Sequence, residues 1–218
     1  SYAQATIDEV LTAQEKSSAY SAKVFEFASS ILINQGEGKF ELKSLPMWAQ
    51  IAPIYGILIS DFDKDGNLDV LISGNDHGTE VGIGRYDASK GMFLKGTGTG
   101  DFTPLPLSES GLLIDGNSRG VISINVNNEL IYVFGSNNGN LKSYIVTDKN
   151  NLGIVLSIPS DSIKAQITFE NGTMRMHEFY HGSSYLSQST RSIQLTGNEK
   201  SVIVFDSKGK ETSLYPKP

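Results

Sequence analysis

Asp61-Phe62-Asp63-Lys64-Asp65-Gly66-Asn67-Leu68-Asp69, followed at once by Val70-Leu71-Ile72-Ser73, decides how the rest of the chain is read. Carboxylates stand at loop positions 1, 3, 5 and 9, and glycine stands at position 6. A hard cation such as calcium takes about six to eight oxygens at roughly 2.3–2.6 Å, and alternate residues of a tight loop can turn their oxygens toward one point. Gly66 suits the positive φ that such a turn needs. Four carboxylates gathered without a cation would only repel one another. The stretch is therefore read as a calcium loop whose ligands are the side chains of Asp61, Asp63, Asp65 and Asp69 and the backbone carbonyl of Asn67.

The flanks exclude an EF-hand. That loop requires a bidentate Glu at position 12 and a helix on either side. Here position 12 is Ile72, and the flanks Ile57-Leu58-Ile59 and Val70-Leu71-Ile72 are short β-type apolar runs. The reading is strand, calcium loop, strand.

Working outward, residues 5–28 are expected to be helical. Thr6 and Glu9 have the capping-box spacing, and Ile7, Val10 and Leu11 share a face. From residue 29 the period changes to two. Ser30 to Asn34 and Lys39 to Leu42 read as a hairpin around Gln35-Gly36-Glu37-Gly38, closed by Leu45-Pro46. After the calcium loop come Ile83 to Asp87, a strand at Met92-Phe93-Leu94, the turn Gly96-Thr97-Gly98-Thr99-Gly100, and Asp101 to Pro106. The turns Asn34 to Phe40 and Leu94 to Phe102 share glycines, a polar spacer, Phe and a later Pro. They mark a repeat of about 60 residues, a period typical of arrays and propellers. A third unit runs through Gly120 to Asn125, Glu129 to Phe134 and Leu141 to Val146. Its turn Asn137-Asn138-Gly139-Asn140 sits where a second calcium loop would be, without carboxylates. Asp148 to Gly153 reads as a linker. Beyond it lie strands at Ile163 to Glu170, Thr173 to Tyr180, Ser201 to Phe205 and Glu211 to Tyr215, with Asn171-Gly172 as the clearest hairpin turn.

Composition bounds the function. The 218 residues carry 18 Lys+Arg against 24 Asp+Glu, a formal net charge of -6, with no basic stripe for nucleic acid or anionic lipid. No apolar run approaches the length of a membrane span. There is no cysteine, which excludes disulfides, Cys-ligated zinc and thiol catalysis. No signal peptide is visible, so a processed or truncated piece is expected. Loose calcium sites fill outside the cytosol, so export is expected.

On these residues the chain resembles the FG-GAP or VCBS repeats of integrin-α-like β-propellers. The resemblance is carried by Asp61 to Leu71, set between the Gly-rich turns Asn34 to Phe40 and Leu94 to Phe102. It implies that each repeat supplies most of a four-stranded blade, with calcium in the loop between two strands. The tail Glu178 to Gln188, with Val202 to Lys210, resembles the ASPIC/UnbV domain of exported bacterial proteins. Leu195-Thr196-Gly197 stands where that domain has Gly-Leu-Gly. The expected fold is thus mainly β. Partial FG-GAP-type propeller blades occupy 29–150, after an N-terminal helical segment at 1–28 and before a small ASPIC/UnbV-like β domain at 151–218. Only two to three blades are countable, and closed propellers need about four or more. Either further blades lie outside this sequence, or the chain self-associates with another copy through its exposed blade edges.

His177-Glu178-Phe179-Tyr180-His181 satisfies the zinc-protease signature, which needs a helix to bring both histidines onto one face. The alternating run Thr173 to Met176 reads as a strand, which would hold them ~13 Å apart. Gly82, Gly84 and the Gly96–Gly100 run open no helix and carry no Gly-Lys-Ser/Thr, so they are turns rather than phosphate loops. Asp101, Glu109 and Asp115 are possible glycosidase carboxylates, with surface placement the default. Trp48 and Tyr55 could stack on a sugar, core packing being the commoner role. Asn171-Gly172-Thr173 is a glycosylation sequon. The function expected is an exported, extracellular, surface or periplasmic bacterial module, bound to calcium and used for adhesion or for binding a protein or glycan, without catalysis. The alternatives are a carbohydrate-active enzyme or lyase on a propeller scaffold and, more remotely, the zinc protease.

Overall fold

The computed structural model describes residues 2–147 and 153–216. Strands account for 44% and helices for 10%, so the chain is mainly β, as its alternating patterns lead one to expect. Of the linker read at Asp148 to Gly153, all but Gly153 lies outside the described residues.

The helical expectation for 5–28 is corrected. Two short helices form, α1 (Ile7–Val10) and α2 (Ala13–Ser18), and residues 20–27 have no regular structure. Thr6 starts α1, with its N–H donating to Glu9 Oε2 at 2.7 Å; Thr12 then starts α2 in the same way, its N–H donating to Glu15 Oε2 at 2.8 Å. An N-cap has extended backbone, so a second capping box six residues on cuts the helix. Neither helix buries a residue, and helices this short need tertiary packing to persist. Tyr20, Phe25 and Phe27 lie exposed beyond them.

The first hairpin pairs β1 (Ser30–Gly36) with β2 (Lys39–Ser44). A four-stranded antiparallel sheet follows in sequence order: β3 (Ile54–Ser60), β4 (Asp69–Gly74), β5 (Met92–Gly96) and β6 (Phe102–Leu105). Pro46 leads from the first hairpin into a 3-10 turn at Met47–Gln50, and Pro106 leads from β6 into α3 (Leu107–Ser110), so the repeat seen in sequence is also a repeat of connection. The expected element at Ile83 to Asp87 is not a strand. Only Tyr86 pairs, in an isolated bridge with Asp76, because Gly84 turns the chain at φ +86.

A three-stranded sheet comprises β7 (Ser118–Val126), β8 (Glu129–Ser136) and β9 (Lys142–Ile145). It stands against the four-stranded sheet through β3 and β7. Gly56 makes that approach possible: a Cβ there would meet Arg119 O at 2.8 Å, Val121 N at 3.0 Å and Ser73 Oγ at 2.5 Å. Between the sheets Phe62, Leu71, Leu112, Ile114, Val121, Tyr132 and Phe134 form one core, and Phe62 meets Tyr132 edge-on at 5.1 Å. A second cluster, Ala49, Val70, Ile72 and Leu94, fills the other face of the four-stranded sheet. β4 has both faces covered, and so its run Val70-Leu71-Ile72 is continuously apolar.

After residue 153, β10 (Val155–Ser157) pairs with β13 (Ser192–Gln194). A four-stranded sheet has the order β12 (Met174–Glu178), β11 (Ser162–Phe169), β14 (Glu199–Asp206), β15 (Glu211–Tyr215). Leu156, Ile158, Ala165, Ile167, Ile193, Leu195, Val202 and Val204 form its separate core. The loop between β12 and β13 reaches back to β7. Thr190 N–H donates to Ser123 O at 2.8 Å, Ser123 N–H donates to Ser189 Oγ at 3.1 Å, and Tyr185 meets Tyr55 edge-on at 5.5 Å. These contacts cover the edge of β7 that β8 leaves free. The sheets formed by the described residues do not close into a propeller.

Candidate metal centre

The acidic stretch connects β3 to β4, with Ser60 opposite Asp69 in register. Gly66 has φ +93 and Lys64 φ +62, so the loop reverses through two left-handed residues. Asp63 Oδ1 accepts the N–H of Asp65 at 3.2 Å, Asp65 Oδ1 accepts that of Asn67 at 2.8 Å, and Asp61 Oδ2 accepts that of Gly66 at 3.0 Å. Alternate side chains thus fold over their own backbone and converge.

Asp61, Asp63 and Asp65 each bring a carboxylate oxygen to within 4.8 Å of the other two. Asp61 is 5% exposed, and its Oδ1 is buried with no hydrogen-bond partner. A buried anionic oxygen left unpaired is costly, and a cation, a donor or a proton relieves that cost. Burial pushes the Asp61 carboxyl above its ordinary value against the Gly66 N–H, and the charges of Asp65, Asp69 and Asp63 push it further the same way. The donors are all hard oxygens, the set suited to calcium or magnesium rather than to a soft metal.

Lys95 on β5 is the one cation in contact with the group among the described residues. Its Nζ pairs with Asp63 and lies 3.0 Å from Asp65 Oδ2. Hydrogen bonds to Asp63 and Asp65 hold the ammonium's pKa above its usual value. Burial pushes the Asp65 carboxyl up, but the Asn67 N–H and Lys95 outweigh it and hold it below its usual value.

Asp69 lies apart from the three. It is fully buried, with Oδ2 accepting Phe62 N–H at 3.0 Å and Oδ1 accepting Gly96 N–H at 2.8 Å. Burial raises its pKa against those two bonds. It ties the loop's start to the β5–β6 turn. Asn67 lies against that same turn: a Cβ at Gly98 would meet Asn67 Oδ1 at 2.4 Å, and one at Gly96 would meet Leu68 O at 2.0 Å. The Gly96–Gly100 run is therefore a turn, as expected, and its glycines let it lie on the acidic loop.

A second polar cluster escaped the sequence reading. Arg119 Nη2 donates to Asp76 Oδ1 at 2.9 Å, Tyr55 OH donates to Asp76 Oδ2 at 2.9 Å, and the guanidinium carbon lies 4.0 Å from the Tyr55 ring centroid. The Gly78 N–H, Arg119 and Tyr55 together bring the Asp76 carboxyl down to about 2. Buried Asn75 donates to Ser89 O and Gly116 O and accepts from Ser89 N–H. No spacing rule links residues 40 positions apart, and the only local hint is an Asn-Asp pair after a strand.

The remaining candidates do not assemble into a site. His177 sits on β12 opposite Ala165, and His181 lies past the strand's end, so the helix that a zinc protease requires is not formed. Asp101 pairs with Lys43 at 2.6 Å and Asp115 with Lys142, while Glu109 lies on α3. Trp48 is exposed rather than in the core, and Tyr55 packs on Arg119 and Tyr185. Asn171-Gly172 forms the expected β11–β12 turn, with Gly172 at φ +83.

No family model matches the chain, and no curated protein matches it. Among solved structures it is similar to virginiamycin B lyase from Staphylococcus aureus, at 16% identity and a TM-score of 0.20. The alignment covers 78% of this chain and 58% of the lyase, so the chain spans less than two thirds of that protein. A likeness this slight transfers neither fold nor activity. It does correct one expectation: the similar structure is an enzyme, so the absence of catalysis is not retained. Among the described residues no helix is long and apolar enough to cross a membrane.

Proposed function

We propose that the chain is an exported calcium-binding β module whose blades are of the FG-GAP type, followed by an ASPIC/UnbV-like unit, and that it serves adhesion or the binding of a protein or glycan. Asp61, Asp63 and Asp65 would hold the ion, with Asn67 and Asp69 completing its surroundings. The unpartnered buried oxygen of Asp61 at the centre of a carboxylate triplet carries the reading. Bound calcium supplies two positive charges to a loop whose one ion-paired cation among the described residues is Lys95, and so would fix the β3–β4 end where a partner would dock. The four-stranded sheet and the repeated Gly-Phe turns support the blade assignment.

Elemental analysis of protein purified without chelator, with a calorimetric calcium titration, tests the site: one calcium per chain is expected, and an Asp63→Ala chain should bind at least tenfold more weakly. Glycan and protein arrays read in calcium and in chelator test the binding role. A chain that takes up no calcium overturns the reading.

A further inference from the structure

A cleft of about 330 Å³ opens between β3 of the four-stranded sheet and β12 of the C-terminal sheet. This volume falls in the range of small-molecule sites. Its two walls differ in kind. The β3 wall is mostly apolar: Ile57 and Ile59, two residues apart and so on one face, are half-exposed into it with Leu68 beside them, and Ser60 and Asp61 close its end. The opposite wall carries Arg175, His177 and Phe179 at alternate positions, joined by Arg191 from the approach to β13.

The two guanidinium groups are the unusual feature. Neither Arg175 nor Arg191 has a carboxylate within ion-pair distance among the described residues; the ion pairs found there involve other side chains. Arg191 spends one nitrogen on Ser162 O, and its Nε and Nη1 are buried with no partner. Arg175 is held over the Phe169 ring at 5.1 Å and Arg191 over the Phe179 ring at 5.2 Å, so both are placed rather than loose. His177 stacks on Phe179 at 4.8 Å. The acidic groups nearby are otherwise engaged. Glu178 accepts from Tyr180 OH, Glu199 accepts from Thr196 and Gly197 N–H, and Asp61 belongs to the metal loop. Buried charges are found paired, and planar guanidinium donors match carboxylate and phosphate oxygens.

We propose that this cleft binds a small organic anion, a carboxylate or phosphate carried on an apolar or aromatic body. The anion would meet Arg175 and Arg191, and the body would lie between Phe179 and the Ile57–Ile59 face. The cleft adjoins the acidic loop, since Asp61 lines it and acts on Arg175 by its charge, and binding is therefore read with and without calcium.

The test uses the whole chain and the dye 8-anilinonaphthalene-1-sulfonate, read by fluorescence in calcium and in chelator. One dye per chain is expected. Benzoate or phenyl phosphate should displace it and benzyl alcohol should not; which of the two anions competes better assigns the headgroup. Arg175→Gln and Arg191→Gln should each weaken binding at least tenfold with an unchanged melt. Should either fold poorly, Leu68→Trp fills the cleft from the other wall and should abolish binding with both arginines intact. The proposal is overturned if the dye does not bind, if neutral N-phenyl-1-naphthylamine binds equally well, or if these variants leave binding unchanged. It is also overturned if Phe25→Ser with Phe27→Ser removes binding, which would place the dye on the exposed N-terminal segment.

Discussion

The hairpins β3–β4 and β7–β8 are built alike except at their ends. Each opens on a register shift followed by a glycine, Gly56 in one and Gly120 in the other, and each first strand then pairs without interruption to its turn. The β7–β8 hairpin closes in two residues, Asn127 and Asn128, both left-handed at φ +53 and +66. That is local turn chemistry and needs nothing else. The β3–β4 hairpin instead spans Asp61 to Leu68, and its carboxylates converge on one another with Lys95 as their only cationic contact among the described residues. One sheet has a self-sufficient end, and the other ends in a carboxylate cluster that could hold a metal ion.

The largest effect expected is calcium itself. At roughly a hundredfold excess over Kd, linkage gives about 2.7 kcal/mol, or roughly 5–11 °C in Tm for a chain of this size. Asp63→Ala should remove most of that gain, as read by scanning calorimetry with and without chelator. If the wild-type melt does not move, the two hairpin ends are alike after all.

Next comes the packing of the sheets. Gly56→Ala drives a Cβ into the β7 backbone and should cost about 1–3 kcal/mol, in calcium or without it. Gly120→Ala should cost less, because its Cβ would meet Tyr185 O at 3.1 Å and Ser187 Oγ at 3.4 Å, farther off than the atoms around Gly56. Equal losses in chemical denaturation would show that the sheets do not pack through Gly56.

Asn128→Ala places a Cβ residue without Asn's local hydrogen bonding in the left-handed region and should cost about 1 kcal/mol. The loss should be the same with calcium and with chelator, unlike any change in the acidic loop. A calcium-dependent loss would join two ends described here as independent.

The smallest effect concerns the clamp beside them. The Asp76 carboxyl is depressed to about 2, so its contribution is complete above the unfolded value and is lost as pH falls through the folded one. Asp76→Asn should therefore flatten the fall of Tm between about pH 4 and pH 2 while leaving its slope near neutrality unchanged. An unaltered acid limb would remove Asp76 from the account.

What could be read from sequence follows the range of the forces involved. The acidic loop, the Gly-Phe turns, the Asn-Gly turn and the strand periods are local, and apart from Ile83 to Asp87 each stands where the residues place it. The second-sheet counterpart of the acidic loop is Asn127-Asn128, not Asn137 to Asn140, because equivalence follows strand order and not similarity of turn residues. The single N-terminal helix failed because Thr12-Glu15 is as good a start signal as Thr6-Glu9, and two starts six residues apart leave room only for two short helices. Residues 179–190 lying on β7 and the Arg119–Asp76–Tyr55 clamp depend on contacts between 21 and 66 positions apart, which no local pattern encodes.

The most direct test is the sign of one substitution. Asp61→Asn keeps an oxygen for the Gly66 N–H while removing the charge that burial disfavours. Measured by calorimetry, the variant should melt at or above wild type in chelator and clearly below it in calcium. A variant less stable than wild type by the same amount in both conditions would contradict the claim that this hairpin is closed by a cation.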